Sequence, residues 1–148
     1  MSNVAISGAL ALLLLASCND AKSPETPTQG DIQIVRLRAP NDASGPSPDK
    51  LDDALMKKRK ELDKCYAEGL TREPKLTGTI NALFKISRDG SVSEATDAFG
   101  GKEPGAAVAL PDTEVARCVL GVIQLTNFGK RPQEGEAVYS LKFVPLDR

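Results

Sequence analysis

Histidine and tryptophan are both absent from this chain of 148 residues. Without an imidazole there is no Ser-His-Asp or Cys-His nucleophilic arrangement and no His-containing zinc site. Charge of one sign is lacking too: 19 basic residues face 20 acidic ones, a formal net charge of −1. So even a balance creates no strong field to recruit nucleic acid or an anionic membrane surface. No long apolar run occurs. The longest, near the N-terminus, is the eight residues Ala9–Ala16, against the ~20 that cross a hydrocarbon layer. No G-x-x-x-x-G-K-[ST] phosphate loop is present, and Gly100-Gly101-Lys102 lacks that spacing. Nothing between Asp42 and Asp53 follows calcium-loop spacing. No cofactor and no metal are implied.

Carboxylates are plentiful but not arranged for catalysis. Asp52 and Asp53 are neighbours on a helix and point in different directions. Asp89 belongs to a turn. Spatial pairs of carboxylates are invisible in a sequence, so a ligand-binding or carboxylate-based hydrolytic protein stands as the alternative to a non-enzymatic one.

What is present begins with Leu15-Ala16-Ser17-Cys18, at the end of the apolar run Ala9–Ala16. A short apolar segment closed by small residues is the pattern of a secretory signal. Here the cleavage site ends in cysteine, and the stretch resembles a bacterial lipobox. That resemblance implies a signal peptide over residues 1–17 and lipidation of Cys18. Met1–Ser7 departs from the pattern in carrying no Lys or Arg.

Residues 18–47 read as a flexible tether. Pro24, Pro27, Pro40 and Pro46 stand among Ser, Thr, Asn, Asp and Gly, a composition that buries too little apolar surface to offset ordering entropy. Such a segment spans roughly 30 Å on average and roughly 95 Å when taut. Ile32, Ile34, Val35 and Leu37 interrupt it. This β-prone piece reads as a loose edge strand, in preference to a docking motif for a partner.

The remaining residues, 48–148, suffice for one small domain of about 100 residues. Lipidation accounts for one of the three cysteines. Cys65 and Cys118 are left in a compartment that oxidises thiols, and are expected to form a disulfide. Closing a loop of 53 residues would stabilise the fold by about 4 kcal/mol in the chain-entropy model. A redox pair is the competing reading, but such pairs usually have C-x-x-C spacing and an exposed thiol.

Ser47 can cap a helix that opens on Pro48, and Leu51, Leu55, Leu62, Cys65, Tyr66 and Gly69 or Leu70 recur at helical spacing up to Glu73-Pro74. The basic run Lys57-Lys58-Arg59-Lys60 is then a solvated helix side. Ile80, Ala82, Phe84 and Ile86 alternate with polar residues, Leu83 excepted, which predicts a half-buried strand. Ser87-Arg88-Asp89-Gly90 supplies a turn, and a second strand returns over about Ser91–Ala98, its broken alternation allowing a bulge. A Gly/Pro loop leads to a helix capped by Asp112, with Val115, Cys118, Val119, Val122 and Ile123 as its apolar stripe. The last strand points Ala137, Tyr139, Leu141 and Phe143 inward. The expectation is an α+β fold: a three-stranded antiparallel sheet with two helices on one face, in the order helix-strand-strand-helix-strand, both cysteines turned inward and the opposite face polar.

Leu76-Thr77-Gly78 and Phe84-Lys85-Ile86-Ser87-Arg88-Asp89-Gly90-Ser91-Val92, followed by a helix and a closing strand, resemble the C-terminal domain of TonB-like proteins over residues 48–148. Cys65-Tyr66, Cys118 and Phe128 are similar to its two-cysteine branch, the AgmX/PglI C-terminal type. The resemblance implies a periplasmic, non-enzymatic module that engages other envelope proteins, often through a sheet edge. Strand addition at the last strand, around Val138, Ser140 and Lys142, is the expected binding mode. Two departures stand out. A lipid anchor replaces TonB's membrane helix, and Leu125-Thr126-Asn127-Phe128 stands where TonB has Trp-x-Tyr, so proton-motive coupling is not carried over. The expected partners are a membrane, through the lipid, and an envelope protein, on the periplasmic side of the outer membrane.

Overall fold

Alternation over Gly78–Ile86 (β2) sends Ile80, Ala82, Phe84 and Ile86 to one face, where all four are fully buried. In the computed structural model, which describes residues 29–40, 45–98 and 108–146, six further elements surround this strand. They are β1 (Gly30–Arg38), α1 (Pro48–Met56), α2 (Arg59–Arg72), β3 (Val92–Asp97), α3 (Thr113–Gln124) and β4 (Gly135–Pro145). Cys18 and the expected signal peptide lie outside the described residues.

The fold is α+β, but the described residues form four strands and three helices where three strands and two helices were expected. The sheet order is β1-β4-β2-β3, every neighbouring pair antiparallel. The additional strand comes from the segment assigned to the tether. Its aliphatic residues do form an edge strand, and Ile32 is 1% exposed. The additional helix arises because the first one breaks at Lys57–Lys58, where the last turn tightens: the Lys58 N–H bonds to the Leu55 carbonyl, three residues back. Apolar spacing runs through the break unchanged, which is why the sequence shows one helix. Ser47 also departs from its expected role. Its side chain makes no capping bond; its carbonyl accepts from the Lys50 N–H at 2.9 Å, with Pro48 opening the helix.

Other local expectations match the structure. Gly90, at φ +88°, closes the turn by donating to the Ser87 carbonyl at 2.9 Å. The register of β2 and β3 slips between Lys85 and Ile86, a bulge. Asp112 caps α3, its Oδ1 accepting the N–H groups of Glu114 and Val115, both at 3.0 Å.

The core sits between the sheet and the helices. The Phe84 ring stacks on Phe128 at 4.9 Å and on Tyr139 at 5.7 Å, and Tyr66 meets Phe143 edge-on at 5.0 Å. Cys65 and Cys118 form a disulfide between α2 and α3, with 5.7 Å between the Cα atoms. The expectation that both sulfur-bearing residues turn inward is corrected in one respect: Cys65 is 2% exposed, but Cys118 is on the exposed flank of α3. Val115, Val119 and Ile123 alone supply that helix's buried stripe.

Candidate functional site

Partner binding was expected at the edge of the last strand, and the topology corrects that expectation. Strand β4 is interior. Val138 stands between Arg38 of β1 and Leu83 of β2, Ser140 between Val35 and Asn81, and Lys142 between Gln33 and Thr79. Val138 is, in addition, only 3% exposed. The edge expected to take a partner is occupied by the chain's own β1.

The seat of β1 is specific at each position. Gly30 lies under the Tyr66 ring: a Cβ there would fall 2.1 Å from Tyr66 Cε1 and 2.7 Å from Cδ1. Burial pushes the Tyr66 hydroxyl up to about 12, and it donates to the Leu76 carbonyl at 2.6 Å, which fixes the ring over the strand. Next, Asp31 accepts from Arg59 of α2 at 2.8 Å, and Arg59 also holds Asp63 at 2.7 Å. Ile32 pairs with Phe143 and Ile34 with Leu141 on the helix-covered face. Arg36 then donates to Asp52 Oδ2 of α1 at 2.5 Å, while the Tyr139 hydroxyl of β4 donates to Asp52 Oδ1 at 2.7 Å. Burial, together with the Asp52 charge, drives the Tyr139 hydroxyl well above its ordinary value, so at neutral pH it is a donor and not an oxyanion. Arg38 pairs with Glu136 at 2.9 Å beyond a bulge that leaves Leu37 half exposed.

An acid receptor (Arg59), an aliphatic slot and a cation receptor (Asp52 with Tyr139) therefore lie in a row along β4. Chemically, the row can select an extended segment by main-chain pairing plus alternate side chains. The three receptors come from α2, α1 and β4. No local sequence signal unites them; only the i,i+4 spacing of Arg59 and Asp63 is visible in the chain. The basic run proves heterogeneous. Arg59 serves β1, Lys58 pairs with Glu61 at 3.4 Å, and Lys57 lines an open cleft of about 650 Å³ with Lys50 and Lys130. A second shallow groove of about 550 Å³ runs between α3 and β3, past Ala95, Ala116, Leu120 and Gly121.

Among the described residues no group of three acidic or cysteine side chains could hold a metal ion, and no helix is long and apolar enough to cross a membrane. No family model, no curated protein and no solved structure matches this chain.

Proposed function

We propose that this chain is a lipid-anchored envelope protein, held by Cys18 on the periplasmic side of the outer membrane, whose folded part is a non-catalytic, TonB C-terminal-like protein-interaction module. The observation that carries the reading is the seat along β4. Its edge takes an added strand over eight registered pairs, from Gly30↔Pro145 to Arg38↔Val138, with a receptor for nearly every inward side chain. The lipobox-like Leu15-Ala16-Ser17-Cys18 supports the anchor. With β1 part of the folded unit, the 11 residues from Asn19 to Gln29 link Cys18 to it, a reach of about 40 Å at most, so the module works close to the membrane.

Two measurements test this in intact cells. Radiolabelled palmitate should enter the wild-type protein and not the Cys18→Ala variant; equal labelling would defeat the anchor. A photo-crosslinking residue at Ser140 or Lys142, on β4, should give an adduct with an envelope protein, while one at Lys60, on α2, should not. Adducts at all three positions or at none would defeat strand recognition.

A further inference from the structure

We infer that β1 is an internal stand-in for the partner. It closes the binding edge of β4 until an extended segment of the pattern glycine, acid, aliphatic, any, aliphatic, any, cation displaces it. The inference deepens the interaction reading and rests on it.

The argument begins with how unevenly the strands are held. β2 buries four large or small apolar side chains fully, and β4 buries Ala137, Val138, Tyr139, Leu141 and Phe143. In β1 only Ile32 is buried to that degree; Ile34 is part-buried, and Val35 and Leu37 are 55% and 54% exposed. Besides its main-chain ladder to β4, the rest of its side-chain attachment is ionic, at groups open to water: Arg36 and Asp52 are 29% and 40% exposed, Arg59 and Asp31 28% and 47%. Exposed ion pairs add little net stability. β1 also has a neighbour on one side only, whereas β4 keeps β2 when β1 leaves. Opening of β1 thus exposes Ile32, the part-buried Ile34, the flank of Tyr66 and Leu70 that packs on Gly30, and the β4 edge, and leaves the β2–β4 pairing and the Phe84 ring cluster in place. Sub-global opening of such an element is the expected behaviour of the least-buried unit of a fold.

The displaced strand defines what replaces it. A residue larger than glycine at the first position would collide with Tyr66. The second must be acidic to meet Arg59, the third and fifth aliphatic to fill the places of Ile32 and Ile34, and the seventh cationic to reach Asp52 and Tyr139. The outward positions, Gln33 and Val35 in β1, carry no requirement. Both edge alternatives are less suited: β3 is short and bulged, and β1's own outer edge is bulged and carries Arg36 and Arg38, features that blunt an edge.

Native-state hydrogen exchange on the purified full-length protein in detergent is the first test. The amides of Ile32 to Arg36 should exchange at least about 100-fold faster than those of Ile80 to Phe84. Equal rates would overturn the inference. The second test uses a labelled synthetic peptide of residues 29–39. It should bind the Ile32→Asp variant at least about 10-fold more tightly than the wild type, because only the fraction with an open edge competes for it. A peptide with Asp at both isoleucine positions should not bind. Failure of the folded variant to bind the peptide, or its assembly into dimers that exclude the peptide, would overturn the partner assignment. Neither test needs the cellular partner: photo-adducts at Ser140 combined with a tightly shut β1 sink the inference alone, and an open edge without adducts sinks the interaction reading.

Discussion

The two ends of the helix layer are fastened by different chemistry. Between α2 and α3 the link is covalent, through Cys65 and Cys118, and is reinforced by Asp112, which caps α3 while accepting from Arg72 of α2 at 2.7 Å. Between β1 and the helices α1 and α2 the links are hydrogen-bonded ion pairs at part-exposed groups, Arg36 with Asp52 of α1 and Asp31 with Arg59 of α2. A disulfide restrains the whole unfolded chain; a surface ion pair acts only where it sits, and weakly. The first end can hold its geometry through any excursion short of reduction. The second can let go locally. The proposed exchange of β1 for a partner's strand, with the core left folded, calls for both kinds of fastening.

The comparison breaks most visibly if the covalent end is removed. The Cys65→Ala, Cys118→Ala double variant should lose about 4 kcal/mol of stability by the loop-closure model for a 53-residue separation. The loss should appear as a large drop in the denaturant midpoint across every element at once. A shift confined to α2 and α3 would mean that the bond fastens only its own helices. Gly30→Val attacks the other end. The new side chain meets Tyr66 at less than contact distance, and overpacking of this kind costs about 1–3 kcal/mol. The loss should fall on β1 alone: faster exchange at Ile32 to Arg36, with the amides of β2 unmoved. Equal losses in both strands would show that β1 belongs to the cooperative core.

What the sequence revealed follows the range of the forces involved. The alternation of β2, the Asp89-Gly90 turn, the bulge at Ser93 and the Asp112 cap are decided by residues within a few positions of each other, and each was readable. Ile32 and Ile34 were readable as a strand but not as part of the folded unit. Their partners, Phe143 and Leu141, are more than 100 positions away, and the prolines around β1 gave it the composition of a tether. That long pairing also hid the fate of β4, whose residues Val138, Ser140 and Lys142 looked like an edge because nothing nearby in the chain competes for it. The helix break at Lys57–Lys58 falls among solvated side chains that leave the apolar spacing intact. Cys118 belongs by periodicity to the stripe of Val115 and Val119, yet it sits on the flank, where α2 brings Cys65 within bonding distance. The receptors Arg59, Asp52 and Tyr139 converge from three elements, a juxtaposition that only the tertiary fold creates.

The smallest effects sharpen the comparison at Asp112, the polar part of the covalent end. Asp112→Ala removes the acceptor of two backbone N–H groups, which should cost about 1 kcal/mol. Acid should reach the same interaction. Burial would raise the pKa of this carboxyl, but the Val115 N–H and the Arg72 guanidinium outweigh it and hold it below the ordinary carboxylate range. A carboxyl with a lowered folded-state pKa contributes stability that is complete above its unfolded-state pKa, and that contribution fades as pH falls through the folded-state value. Asp112→Asn separates the two roles, because an asparagine oxygen still caps the helix but does not titrate. Thermal melts of wild type and Asp112→Asn, taken from pH 7 down to pH 3, should show a gap in Tm that narrows as pH drops below the ordinary carboxylate range. Asp89 and Glu61, whose pKa values are also lowered, would still give the variant an acid limb, only a shallower one. The absence of any gap at pH 7 would mean that the cap, which asparagine keeps, and not the charge facing Arg72, is what Asp112 contributes to the stapled end.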